Sequence, residues 1–141
     1  MELHSEWITG FVDGEGCFHV SITKNEGMKL GYQVLPEFTV TQHERSIQVL
    51  HGLKTFFGTG VVRSSQGKSK KILSYKVRNA TDLRTIILPF FLKHPLKTSK
   101  NVEFLKFRRV LLMMEQGEHL TEEGLLAIQK LKIESNASRN E

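Results

Sequence analysis

Cysteine and long apolar runs are almost absent from this sequence. Of its 141 residues one is cysteine, Cys17, which excludes an internal disulfide and a paired-cysteine metal site. No apolar run approaches the roughly 20 residues that a membrane-spanning helix requires. The N-terminus has no basic segment followed by an apolar stretch, so no secretory signal peptide is visible. These absences favour a globular protein in a reducing compartment.

Acidic residues are missing from the middle of the chain. No Asp or Glu occurs between Arg45 and Thr81, and the formal net charge of the whole chain is +5. A long basic stretch without carboxylates favours a polyanionic partner such as nucleic acid, although a lysine-rich loop over residues 68–71 can equally be a solvated loop. The basic residues of this stretch are Arg45, Lys54, Arg63, Lys68, Lys70, Lys71, Lys76 and Arg78.

Alternation of apolar and polar residues predicts two pairs of strands. The first pair lies at about residues 18–22 and 32–41, and the second at residues 60–65 and 72–78. Pro36 interrupts the second strand. Because proline cannot donate a ladder hydrogen bond, it predicts a bulge or an edge position there.

Helical spacing predicts four helices after the first two strands. Thr81 or Asp82 is expected to cap the second of them, and Pro89 and Pro95 are expected to mark its end. A Thr–Glu–Glu–Gly sequence from Thr121 predicts the start of the last helix. The helices are expected over residues 44–57, 83–90, 99–116 and 122–133.

These elements predict an α+β domain with an αββαββα core over residues 1–133. Residues 134–141 are expected to form a frayed tail. Four antiparallel strands would carry the helices on one apolar face. The other, saddle-like face would be polar and solvated, and therefore available to a partner.

The most informative segment is Trp7–Gly16, which reads WITGFVDGEG. Apolar residues at i, i+3 and i+4 from Ile8 predict a helix. Gly10 and Gly14 lie four residues apart on one stripe of that helix, and this spacing suggests that another backbone approaches closely. Each glycine costs the helix about 1 kcal/mol relative to alanine.

Asp13 and Glu15 lie at the end of the same predicted helix. The helix dipole is negative at this end, so carboxylates are disfavoured there. A compensating cation is expected, and a metal ion is the obvious one.

Residues 8–16 resemble the LAGLIDADG motif of homing endonucleases, with Ile8 and Thr9 in place of Leu–Ala and Glu15 in place of the second Asp. Three later segments, residues 36–42, 56–60 and 95–100, are similar to landmarks of that family in order and spacing. The resemblance covers nearly the whole chain. It implies a sequence-specific, Mg²⁺-dependent endonuclease that makes double-strand breaks in a long pseudo-palindromic DNA site.

The resemblance also implies catalytic roles. Glu15 would bind Mg²⁺ with help from the Gly16 carbonyl, and Gln42 would orient water. Lys97 would stabilise the charge that develops on the phosphorane, although it could equally be a phosphate anchor or a charge at a helix start. Asp13 would have a structural role instead of binding metal.

The motif occurs once, since no second copy follows residue 16. The resemblance therefore implies a homodimer in which two motif helices meet at the axis. The residues expected at this interface are Trp7, Gly10, Phe11, Asp13 and Gly14.

The polar strand faces are the expected DNA-binding surface, because a two-stranded ribbon fits the major groove. Arg63 and Gln33 are the best candidates for base contacts, and the lysines for phosphate contacts. The full candidate set is His19, Ser21, Thr23, Gln33, Glu37, Thr39, Arg63, Ser65, Lys68, Lys70, Ser74 and Lys76.

A second hypothesis is a non-cleaving nucleic-acid binder, such as an intron RNA maturase, because a basic sheet face also suits RNA. The resemblance further implies an intron-encoded protein of a chloroplast or mitochondrion. Organelle encoding is expected because the sequence has no visible import signal.

Overall fold

The computed structural model describes residues 1–64, 71–131 and 133, which form an α+β domain with the expected αββαββα core. No helix in this described part of the chain has the length and apolar character to cross a membrane. The elements in chain order are α1 (Ser5–Glu15), β1 (Gly16–Lys24), β2 (Tyr32–His43), α2 (Ile47–Phe57), β3 (Val61–Ser64), β4 (Ile72–Val77), α3 (Ala80–Asp82), α4 (Leu88–Lys93), α5 (Lys100–Glu115) and α6 (Glu122–Lys130).

The four strands form one antiparallel sheet in the order β1-β2-β4-β3. β2 pairs with β1 along most of its length, and Pro36 lies opposite Val20. Pairing of β2 with β4 begins only at Phe38. Pro36 therefore lies where β2 is an edge strand, which confirms the expected position and explains why the missing amide hydrogen is tolerated.

Aromatic side chains fill the space between the sheet and the helices. Phe18 and Phe38 stack across β1 and β2 with ring centroids 5.0 Å apart. Phe91 of α4 and Phe104 of α5 pack edge-on against Phe18 at 5.5 and 5.2 Å. Offset and edge-to-face pairs of this kind are favourable beyond the area that they bury. This cluster fixes the inner face of the sheet and leaves the other face outward.

The helix that the sequence predicts over residues 83–90 begins earlier and ends later in the structure. Its cap is Asn79, whose side chain accepts a hydrogen bond from the Asp82 amide at 3.0 Å, and neither Thr81 nor Asp82 takes that role. A π-helical segment, Leu83–Ile87, precedes α4, and the helix continues past Pro89. The π-helical segment lies directly before Pro89, where a proline removes one backbone hydrogen bond and the regular α-helical pattern is interrupted without ending the helix.

Candidate metal site and nucleic-acid interface

The end of α1 is held at the rim of the sheet by packing. Ile8 and Val12 are fully buried, so the opposite side of α1 is outward. α1 ends at Glu15 and β1 begins at the next residue with no intervening loop. A Cβ atom on Gly16 would lie 2.6 Å from Val12 Cγ1, so this direct passage from helix to strand requires glycine.

Glu15 and Gln42, two of the three residues that the family resemblance implies to be catalytic, come together at this rim. The Glu15 side chain is exposed, and its Oε2 accepts a hydrogen bond from Gln42 Nε2 at 3.2 Å. Carboxylate and carbonyl oxygens are the hard ligands that Mg²⁺ prefers, and protein sites usually supply one or two carboxylates. No group of three or more His, Cys, Asp or Glu suited to metal binding occurs within residues 1–64, 71–131 and 133. At this rim Glu15 thus presents an exposed carboxylate, whose contact among the described residues is with Gln42.

Asp13 has different surroundings, although it is two residues from Glu15. Its carboxylate accepts hydrogen bonds from the Lys97 amide at 2.7 Å, the Thr98 amide at 3.2 Å and the Thr98 hydroxyl. Slight burial raises the pKa of Asp13, but these hydrogen bonds and the nearby Lys100 ammonium outweigh that effect and hold it below its usual value. The expected structural role agrees with this geometry.

The segment after α4 is fastened to the end of α1 by these bonds. Lys100 adds a further contact, because its Nζ donates to the Val12 carbonyl at 3.2 Å. A lysine at this position also complements the negative end of the α1 dipole. The exposed Lys97 is thereby held next to the α1 terminus that carries Glu15.

One side of α1 is open and carries four of the five residues expected at the dimer interface. Trp7 is 45% exposed, and its ring stacks on Phe11 with centroids 4.8 Å apart. A Cβ atom built on Gly10 or Gly14 would meet no atom within 4 Å. The fifth residue, Asp13, uses its carboxylate within its own chain.

The outward face of the sheet brings together most of the residues predicted to bind DNA. The register places His19 opposite Glu37, Thr39 opposite Lys76, and Arg63 opposite Ser74. Ser21, Thr23 and Gln33 continue the same face toward the β1–β2 hairpin. The candidates Ser65, Lys68 and Lys70 lie outside the described residues, as does the expected tail over residues 134–141.

The expectation that this face is solvated is wrong at its centre. Glu37, Thr39 and Ser74 are only 7%, 4% and 6% exposed. Glu37 Oε1 accepts a hydrogen bond from the Thr39 hydroxyl at 2.6 Å, and Oε2 accepts one from Arg78 Nε. A carboxylate buried by its neighbours needs such partners, so β1, β2 and β4 supply them across the sheet.

Two further side chains, an imidazole and an ammonium group, lie beside Glu37. His19 Nε2 is 3.3 Å and Lys76 Nζ is 3.8 Å from Glu37 Oε1. Burial raises the pKa of Glu37, but bonds from Thr39 and Arg78 and the nearby positive charges lower it below its usual value overall. Burial lowers the pKa of His19, with Lys76 and Arg78 acting in the same direction and Glu37 opposing them. We call His19, Glu37, Thr39, Lys76 and Arg78 the Glu37 cluster.

Arg78 is a site residue that the sequence interpretation did not assign. It follows β4 directly, and its side chain is 66% exposed although Nε bonds to Glu37. The signal was present in the sequence, because Ser74, Lys76 and Arg78 alternate and so share one strand face. Arg78, Lys76 and Arg63 line the same groove between β4 and β3, which has a volume of about 710 Å³.

A sequence model of the LAGLIDADG endonuclease family matches residues 8–111. The chain belongs to the LAGLIDADG endonuclease family. The matched region of this LAGLIDADG protein extends from α1 into α5, so it includes Glu15, Gln42 and Lys97.

Individual relatives agree with this assignment. Probable intron-encoded endonuclease 2 of Neurospora crassa is 32% identical over 126 residues, which are 89% of this chain and 26% of that protein. This LAGLIDADG chain spans about a quarter of the length of the first curated relatives that it matches. The crystal structure of the homing endonuclease I-TnaI superposes with a TM-score of 0.89 at 53% identity, over 96% of this chain and 90% of that one. I-SmaMI bound to an uncleaved DNA target in the presence of calcium ions has a TM-score of 0.90 at 39% identity, over 96% of this chain and 46% of that one.

Proposed function

We propose that this chain is a sequence-specific, Mg²⁺-dependent homing endonuclease that acts as a homodimer on a long pseudo-palindromic DNA site and cuts both strands. The observation that carries the proposal is the open Glu15 carboxylate at the end of α1, between an unoccupied helix face and a basic sheet face. The names of its relatives support an intron-encoded origin, and we expect an organellar gene.

Glu15 is the residue that would hold the metal, with the Gly16 carbonyl as a second oxygen donor. Bound Mg²⁺ would stabilise negative charge on the attacking and leaving oxygens of the phosphodiester. Gln42 contacts the Glu15 carboxylate directly and has a second amide atom with which to orient water. One exposed carboxylate at the end of α1 in each chain fits a site that two chains complete, because Mg²⁺ sites commonly use one or two protein carboxylates and paired metals would share those of both chains.

Lys97 would stabilise the charge that develops on the transferring phosphoryl group. Its backbone is fixed to Asp13 at 2.7 Å, so its ammonium needs to search only a limited volume near Glu15. Asp13 is then a positioning residue for Lys97 and has no contact with the reacting atoms.

DNA binding would use the outward sheet face. Arg63 and Lys76 line the groove, and Gln33 extends the polar face toward the β1–β2 hairpin. The solved I-SmaMI complex shows a protein of this fold bound to DNA, which supports the same role here. Phosphate contacts by the basic residues would supply most of the affinity and make it dependent on salt.

The experiment that tests this function begins with selection of cleaved sites from a random DNA library. The selected DNA is then incubated with the protein in Mg²⁺ and, separately, in Ca²⁺. We expect binding in both ions and cutting of both strands only in Mg²⁺. Binding of RNA with no DNA cleavage in either ion would overturn the proposal in favour of a maturase.

The homodimer is tested by Gly10→Leu. A Cβ atom at this exposed position meets no atom within 4 Å outside the local helix backbone, and the change removes a helix glycine, so the monomer should stay folded or gain up to about 1 kcal/mol. If two α1 helices meet at Gly10, the added isobutyl groups overpack the interface and cost roughly 1–3 kcal/mol. Sedimentation should show a shift toward monomer, and double-strand cutting should fail.

The matched control is Lys54→Leu, which adds an apolar side chain at an exposed position of α2. It should leave both the sedimentation and the cutting unchanged. A Gly10→Leu protein that still sediments as a dimer and still cuts both strands would exclude α1 as the interface.

A further inference from the structure

We propose that Arg78 is a specificity-determining residue that contacts a guanine in the major groove and is oriented for this contact by Glu37. The inference rests on the proposed function, since it concerns how the same sheet face distinguishes one DNA sequence from another. It starts from an observation that DNA binding alone does not explain, namely the buried Glu37 carboxylate at the centre of a face expected to meet phosphates.

Glu37 itself is poorly placed to contact DNA. Its side chain is 9% exposed, and its oxygens are engaged by Thr39, Arg78 and His19. A carboxylate that faced the DNA backbone would also repel it. The role of Glu37 is therefore to position its neighbours, and this replaces the direct DNA contact that we expected from the sequence.

Arg78 is the neighbour that remains available. Its Nε bonds to Glu37, and no other hydrogen bond from its guanidinium occurs among the described residues. Because the bond is made at Nε, the two terminal nitrogens of this side chain, which is 66% exposed as a whole, remain available as donors. A guanidinium with a fixed plane offers the two parallel donors that match guanine O6 and N7.

The pairing with Glu37 also favours a base over a phosphate. The carboxylate cancels much of the Arg78 charge, so attraction to the phosphate backbone is weakened. The Glu37 contact also keeps the guanidinium plane of Arg78 in one orientation, and base discrimination requires its two terminal N–H donors to be oriented in this way. Lys76 lines the same groove and can supply a phosphate contact.

The most informative variant is Arg78→Lys, which keeps the positive charge and removes the planar pair of N–H donors. We expect it to lose discrimination at one base-pair position in each half-site by roughly 5- to 150-fold, while affinity for random DNA and its salt dependence stay as in the parent. The measurement is a base-preference profile of binding to the DNA library in Ca²⁺, where no cleavage is needed. Arg109→Lys makes the same chemical change on an exposed part of α5, and it should leave the profile unchanged.

Glu37→Gln tests the positioning part. It should weaken discrimination at the same base-pair position as Arg78→Lys, because the arginine is still present but no longer oriented. If Arg78→Lys leaves the profile intact, the inference is wrong. If Arg78→Ala weakens binding to all sequences equally and lowers the salt slope by about one per protomer, Arg78 is a phosphate contact and the inference is also wrong. If the parent protein neither cuts nor binds DNA, the proposed function is wrong, and that result is obtained separately from the base-preference profiles.

Discussion

The outer sheet face around Glu37 and the end of α1 around Glu15 each present a glutamate, but with opposite surroundings. Glu37 is 7% exposed and accepts hydrogen bonds from Thr39 and Arg78. Glu15 is exposed and accepts one hydrogen bond of 3.2 Å from Gln42. Because a buried carboxylate must be compensated and an exposed one need not be, the first stabilises the fold and the second can bind a ligand.

Asp13 shows that two acids close together in the sequence can have different surroundings. It is two residues from Glu15 in the same motif, yet its carboxylate is satisfied by Lys97 and Thr98 like that of Glu37. The hydrogen bonds that the carboxylates accept therefore distinguish Asp13 and Glu37 from Glu15.

The largest expected effect in this comparison comes from Glu15→Gln. The change keeps the size of the side chain and removes its negative charge, so we expect DNA cleavage to fall by roughly a thousandfold or more. DNA affinity and the unfolding free energy should remain those of the parent, since this carboxylate has only the one long contact. Cleavage and binding assays in parallel, with urea unfolding, measure the three quantities.

The matched control for this prediction is Glu6→Gln. Glu6 is an exposed acid in the first turn of the same helix. It should retain cleavage at the parent level. A Glu15→Gln protein with full activity would exclude Glu15 from the catalytic machinery.

Glu37→Gln, unlike Glu15→Gln, should lower the unfolding free energy. It removes the charge from a buried carboxylate that accepts hydrogen bonds from Thr39 and Arg78, and losing the charge from such hydrogen bonds costs about 1–3 kcal/mol. The unfolding free energy from urea titration should fall by that amount. Glu26→Gln, in the exposed β1–β2 hairpin, should change it by less than about 0.5 kcal/mol. Equal stability of both variants would show that the Glu37 cluster does not stabilise the fold.

The smallest effect is the pH dependence of that stability difference. The pKa of Glu37 in the folded protein lies below its ordinary value of 4.5, so its contribution to stability is complete above that value. It is lost as the pH falls through the lowered pKa. Because Glu37 also raises the pKa of His19, the comparison is made with His19→Gln in both proteins. The difference in unfolding free energy between that parent and its Glu37→Gln form should then be constant above about pH 5 and shrink in acid. A difference that grew on acidification would reverse the assigned direction of the pKa shift.

Much of the fold was predictable from local pattern. Period-two alternation located the four strands, and Gly58 marked the end of α2 correctly with a left-handed backbone. Thr121 was correctly expected at the start of α6, where its hydroxyl accepts from the Gly124 amide at 3.0 Å. The cap at Asn79 and the passage through Pro89 were missed, because a π-helical segment depends on packing of the whole helix and leaves no local signal.

The candidate site was predictable in part. The motif resemblance identified Glu15 and Gln42, which the fold brings into contact across 27 positions of the chain. Arg78 was not assigned although it alternates with Ser74 and Lys76, because the sequence does not show which residue of that strand face is paired with a carboxylate. Its partner, Glu37, is 41 positions away in sequence.

The sequence by itself determined the family, the strand and helix order and the identity of the acid at the end of α1, because short motifs and periodicity carry that information. The tertiary structure alone decided which carboxylates are satisfied. Asp13 obtains its partners, and Glu37 its contact with Arg78, from segments distant in the chain, whereas Glu15 accepts one hydrogen bond among the described residues. Burial and hydrogen bonding depend on strand register and helix packing, so the division between acids that stabilise the fold and the acid left open arises only when the chain has folded.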